Sequence, residues 1–147
     1  MSLLDLMSVS ASGMQAQRLR AQTIVENMAN AETTRTPDGG PYKRKDVVFA
    51  STNQIESPFA AVFDSALAGG ASGVSVTDIV EDTRPPELRY QPGHPDANAE
   101  GYVAYPHISP PEEMVDLMDA SRDFEANTAA IAALKDMVSK SIDLLKV

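Results

Sequence analysis

The stretch SPPEEMVDLMDASRDFEANTAAIAALKDMVSKSIDLLKV, Ser109 to Val147, decides how the rest of the chain is read. It is the longest run that no Gly or internal Pro interrupts. Ser109 can cap free amides, the two prolines fall in the first turn where they are tolerated, and Glu112 stands at the reciprocal position of a capping box. From there Met114, Leu117, Ser121, Phe124, Thr128, Ile131, Lys135, Val138, Ile142 and Leu145 recur at alternating spacings of three and four, and seven of these ten are apolar. Leu134, Met137 and Leu144 widen that stripe, while acids gather at the front and Lys135, Lys140 and Lys146 at the back, as the helix dipole favours. The pattern predicts one continuous helix of roughly 55 Å at about 1.5 Å per residue. A helix that long cannot bury its own stripe, so it requires a partner.

A second helix is expected over residues 1–33. Leu4, Met7, Ala11, Met14, Arg18, Ala21, Val25 and Met28 keep a strict three-four alternation that only Arg18 breaks, and Ser2 with Asp5 offers a start cap. Three methionines on one seam make a surface that repacks readily against different neighbours. Two long striped helices at opposite ends of a 147-residue chain leave little between them to cover both. The expected architecture is mainly α with a small β region, the two terminal helices pairing as a coiled coil around a β-rich middle.

That middle is residues 34–108. Thr36-Pro37-Asp38-Gly39-Gly40-Pro41 is a dense turn cluster, and Tyr42 to Phe49 reads as a short strand whose lead-in, Lys43-Arg44-Lys45, is either a docking patch or a solvated edge. Residues 50–73 read as a flexible segment around Gly69-Gly70-Ala71-Ser72-Gly73. Further strands are expected at Val74 to Asp82, Glu87 to Tyr90 and Gly101 to Tyr105, with a loop from Pro92 to Asn98. Residues 109–147 then form the C-terminal helix.

Composition excludes several function classes. A net charge of −9 with no basic stripe argues against nucleic acid as a partner, which needs cations facing phosphates. With no cysteine, disulfides and thiolate chemistry are absent. No apolar run approaches the roughly 20 residues that span a bilayer, and Asp5 interrupts the apolar N-terminus, so a cleavable secretory signal is not expected. His94, Asp96, Glu100 and His107 are metal-ligand types, and a metal-dependent enzyme built on His94 and Asp96 is one alternative reading. Their spacing matches no metal motif, and in a Pro- and Gly-rich loop such residues shape turns, so no catalytic, metal or cofactor residue is assigned. A soluble helical adaptor or export chaperone is the other alternative.

Ile24-Val25-Glu26-Asn27-Met28-Ala29-Asn30-Ala31 resembles the asparagine segment of the bacterial flagellar rod and hook family, and the likeness continues through Pro37 to Phe49, Tyr90 to Asn98, Glu100 to Pro106, and Glu112 to Asn127. It is closest to the family's proximal-rod members. Met28 stands where that family has Leu and Phe124 where Tyr is usual, changes that keep volume, though Phe124 lacks the hydroxyl. The resemblance implies a structural subunit of the flagellar basal body. Its partners would be copies of itself and other rod proteins, membrane-ring and rod-base adaptor proteins, and the flagellar type III export apparatus, with a place in the periplasmic rod. The expected assembly interface is Leu4, Met7, Met14, Val25, Asn27, Met28, Asn30, Met114, Leu117, Phe124, Ile131, Leu134, Val138, Ile142 and Leu145.

Overall fold

A computed structural model describes residues 3–52 and 73–144 of the chain. In order these form α1 (Leu3–Ala29), β1 (Lys45–Ser51), β2 (Val74–Glu81), β3 (Glu87–Tyr90), β4 (Tyr102–Tyr105) and α2 (Pro110–Leu144). Both long helices and all four strands fall where hydrophobic period and β-branching place them. The Ser2 cap, Leu145 and most of the segment expected to be flexible lie outside the described residues.

Two compact units divide the chain crosswise to its helices: Met1–Leu19, Phe49–Thr77 and Ala120–Val147 make the first, Arg20–Val48 and Asp78–Asp119 the second. In the first, Gly13 abuts the Asn127 side chain and Gln17 Nε2 donates to Asp123 Oδ2 at 2.9 Å. In the second, Asn27 Nδ2 reaches Glu113 Oε2 at 3.4 Å. Rising numbers on α1 meet falling numbers on α2 within each unit, so the helices run antiparallel side by side.

Among its described residues the first unit buries little. Its fully covered apolar residues among those described are Ala16, Ala120 and Leu134. One leucine contributes about 1.5–3 kcal/mol on burial, whereas ordering each residue costs on the order of 1–2 kcal/mol of backbone entropy. The second unit is better filled, with Ile24, Val47, Val103, Tyr105 and Ile108 buried, Val103 completely.

The strands form two separate ribbons. The β1–β2 ribbon is bracketed by Asp82 N donating to Arg44 O at one end and Thr52 N donating to Gly73 O at the other, which makes it antiparallel. β3 and β4 pair antiparallel from Glu87 opposite Tyr105 to Tyr90 opposite Tyr102. Tyr90 and Tyr102 meet edge to face at 5.4 Å, and the Arg89 guanidinium lies 4.7 Å from the Tyr105 ring centroid. Gly101, at φ 84°, closes the ribbon where a Cβ would come within 2.9 Å of the Tyr90 ring. Only glycine takes that backbone without strain.

The start of α2 differs from the expected capping box. Its first turn is closed by Glu113 N donating to Ser109 O, and among the described residues neither the Ser109 hydroxyl nor the Glu112 carboxylate caps an amide. Pro110 and Pro111 carry no N–H, so few orphan donors remain for a cap to satisfy.

Candidate assembly interface

The asparagine segment is an internal device of the second unit. Asn27 is completely buried. Its Oδ1 accepts from the Tyr42 hydroxyl at 3.1 Å and from Lys45 N at 2.9 Å, while Nδ2 donates to Lys45 O at 2.8 Å and to Glu113 Oε2. The carboxamide thus grips both backbone groups of Lys45 as a neighbouring strand would, using all four of its bonding positions. Asn30 ends the helix: its amide nitrogen and its Nδ2 both return to Glu26 O, and its Oδ1 accepts from Thr33 Oγ1. One asparagine docks β1 on α1 and the other stops α1.

Arg44 completes the cluster. Nε donates to Glu113 Oε1, and the other nitrogens approach Asp46 at 3.4 Å and Asp116 at 3.5 Å. Burial works to lower the guanidinium's pKa, but the hydrogen bond and charge of Glu113 outweigh it and hold it above its ordinary value. Burial, with Glu26, Glu113 and Glu81 nearby, likewise raises the Tyr42 phenol, keeping it a donor to Asn27. Arg44 is therefore spent on folding rather than free for docking. Glu113, one of the acids gathered at the front of α2, is almost wholly enclosed.

The loop that carried the metal alternative is held by its own bonds. His94 Nδ1 accepts from Asp96 N at 3.1 Å, Asp96 Oδ2 accepts from Thr34 Oγ1 at 2.8 Å, and Asn98 Oδ1 accepts from the amides of Glu100 and Tyr102. Among the described residues no three His, Asp or Glu side chains converge as a metal site.

The apolar line of α1 has a different fate. Leu4 is 74% exposed and Val25 52% exposed, Ala11 and Arg18 are exposed, and Met7, Met14, Ala21 and Met28 are half-covered. The residues that face α2 or lie buried are instead Gly13, Ala16, Gln17, Arg20, Thr23, Ile24 and Asn27. The line is thus only partly covered, and α2 touches its edge at Met14, whose Sδ accepts from Thr128 Oγ1 at 3.3 Å. On α2 the covered positions are Glu113, Leu117, Ala120, Asn127, Ile131, Leu134 and Val138. They share Leu117, Ile131 and Val138 with the sequence line but run one residue off it elsewhere. Met114 (56% exposed), Phe124 and Ile142 consequently point to solvent. Among the described residues the large apolar side chains that stay exposed outnumber those that are buried.

Comparisons agree with the elements that carry this geometry. The family model for the flagellar basal body rod FlgEFG protein C-terminal region matches residues 99–144, which contain β4 and α2. The flagellar basal-body rod protein FlgC of Borreliella burgdorferi is 39% identical over 99% of this chain and 99% of its own length. That of Bacillus subtilis is 40% identical over 95% and 96%, and that of Escherichia coli O6:H1 is 36% identical over 98% of each. Full-length agreement at this level, with two paired helices and the asparagine segment in place, shows that the chain belongs to the FlgC family of flagellar basal-body rod proteins.

Proposed function

We propose that the chain is a structural subunit of the flagellar basal-body rod, joined to its neighbours through the outward stripe of α1 and the outward side chains of α2. The observation that carries this is the exposure of Leu4, Ala11 and Val25 on a helix whose contacts with α2 run through Gly13, Gln17, Arg20 and Asn27. A stripe exposed on a paired helix is satisfied only by another helix, and a head-to-tail contact that does not close makes an open array, as a rod requires. The four-three recurrence of covered positions on α2 supports winding of α1 and α2 as a coiled coil. The thin first unit supports coupling of its full ordering to assembly.

The remaining parts of the reading follow from the family. Other rod proteins, the membrane-ring and rod-base adaptor proteins, and the type III export apparatus are the partners, and the rod's periplasmic level is the place. No described helix is long and apolar enough to cross a membrane. The test is replacement of the resident gene by Leu4→Asp or Val25→Asp in a motile host. Loss of rods, with the purified subunit's helix content unchanged, is expected. Normal rods from both variants would overturn the proposal.

A further inference from the structure

The α1 stripe contains one charge, and its placement points to a particular contact. Arg18 is exposed, lies in line with Leu4, Met7, Ala11 and Met14, and among the described residues has no ion-pair partner. It is two residues from both Ala16, which is buried, and Arg20, so at about 100° per residue it points away from the α2-facing side. An arginine in the middle of an apolar line costs assembly free energy unless the covering surface supplies an acid.

That acid is present on the outward face of α2. Glu125 is exposed and likewise without a partner among the described residues. It is two residues from each of Asp123 and Asn127, which touch α1, and therefore faces the opposite way. Ala129 and Ala132 follow it on the same exposed side, one and two turns on. Small side chains there let another helix approach closely, and the methylene stem of an arginine can lie across them with its head at the carboxylate. The two charges are also nearly level. Because Gln17 bonds Asp123, Arg18 and Glu125 differ in height by about three residues, or roughly 4.5 Å.

We infer that Arg18 of one copy pairs with Glu125 of a laterally adjacent copy, as the α1 stripe of the first docks on the Glu125–Ala129–Ala132 face of the second. The inference rests on the rod-subunit reading and adds the partner face to it. The occupant is a second copy of this chain because each face carries what the other lacks, an uncompensated cation against an uncompensated anion, at one level of one unit.

Charge exchange tests it. Arg18→Glu and Glu125→Arg are each expected to lower the number of rods recovered from complemented cells about tenfold or more, since each sets like charges together. The double variant Arg18→Glu/Glu125→Arg restores most of the loss. Singles that assemble normally overturn the pairing, as does a double variant no better than the singles while its helix content is intact, which would assign the charges to another rod protein. Asp136 is a second exposed acid further along α2, and rescue of Arg18→Glu by Asp136→Arg in place of Glu125→Arg would overturn the choice of acid. Should a variant fold poorly, the cysteine-free chain allows a second measurement: Arg18→Cys/Glu125→Cys rods should yield disulfide-linked dimers and longer species on oxidation. Absence of any linked species contradicts the contact. Leu4→Asp and Val25→Asp separate the two levels: if both also assemble, the rod-subunit reading falls, and if they fail while charge exchange does nothing, only this pairing falls.

Discussion

Replacing Asn27 tests whether the asparagine segment is a folding clasp. Asn27→Ala strips partners from Lys45 N–H, Lys45 C=O, the Tyr42 hydroxyl and one oxygen of Glu113. A buried group left unsatisfied costs about 1–3 kcal/mol. Lys45 and Tyr42 are half-buried, so water relieves part of that, whereas Glu113 is enclosed and keeps Arg44 as a partner. The sum is about 3 kcal/mol. Asn27→Asp keeps the shape but removes both donors and sets a second carboxylate about where Nδ2 now lies, 3.4 Å from Glu113 Oε2. It should cost more than alanine at neutral pH, and the difference should shrink as pH falls through the carboxylate range, because a protonated acid can donate again. Urea unfolding of the purified subunit gives the free energies, and amide exchange at the start of β1 locates the loss. An Asn27→Ala protein within about 0.5 kcal/mol of the parent would refute the clasp.

Three further outcomes are expected. The hydrogen bond from Arg84, with its charge and that of His107, holds the Asp82 carboxyl at about 2. A group depressed in the folded state contributes stability that is present above its ordinary value of 3.8 and lost as pH falls toward 2; carboxyl NMR titration should show that low midpoint, and Arg84→Ala should return it toward 3.8. A midpoint already at 3.8 in the parent would contradict the pair. Gly101→Ala forces a left-handed backbone on alanine and drives its Cβ toward the Tyr90 ring, so about 2 kcal/mol of destabilisation is expected; an unchanged urea midpoint would contradict it. Glu113→Gln keeps shape but removes the charge facing Arg44, and about 2 kcal/mol of lost stability is expected because Arg44 stays half-buried and short of a partner. Unchanged stability would show that Asp46 and Asp116 suffice.

Periodic features are legible in the order of residues along the chain, and long-range polar ones are not. The three-four spacing of both helices and the β-branched run at Val74 report local geometry, and the elements appear within a few residues of where they predict. Arg44 sits in a basic run whose chemistry is settled by Glu113, 69 positions away, and nothing in the run names that partner. The family segment points to Asn27 as an interface residue. Its burial in the single chain means that any effect on assembly runs through the shape of the second unit. The α2 line runs one residue off the covered face at several turns because Ser121, Thr128 and Lys135 fit the three-four spacing as well as Ala120, Asn127 and Leu134 do, and only the packing against α1 tells them apart. On α1 the apolar line is evident in the sequence. That it faces away from α2 required the geometry.

The most direct test of the account uses the absence of native cysteine. Val25→Cys and Leu4→Cys place single thiols on the outward stripe, and their maleimide labelling rates are measured in the free subunit and in isolated rods. The account predicts ready reaction in the free subunit and protection of about tenfold or more in rods, as expected for a helix face covered by a neighbour. Equal rates in both states would contradict it.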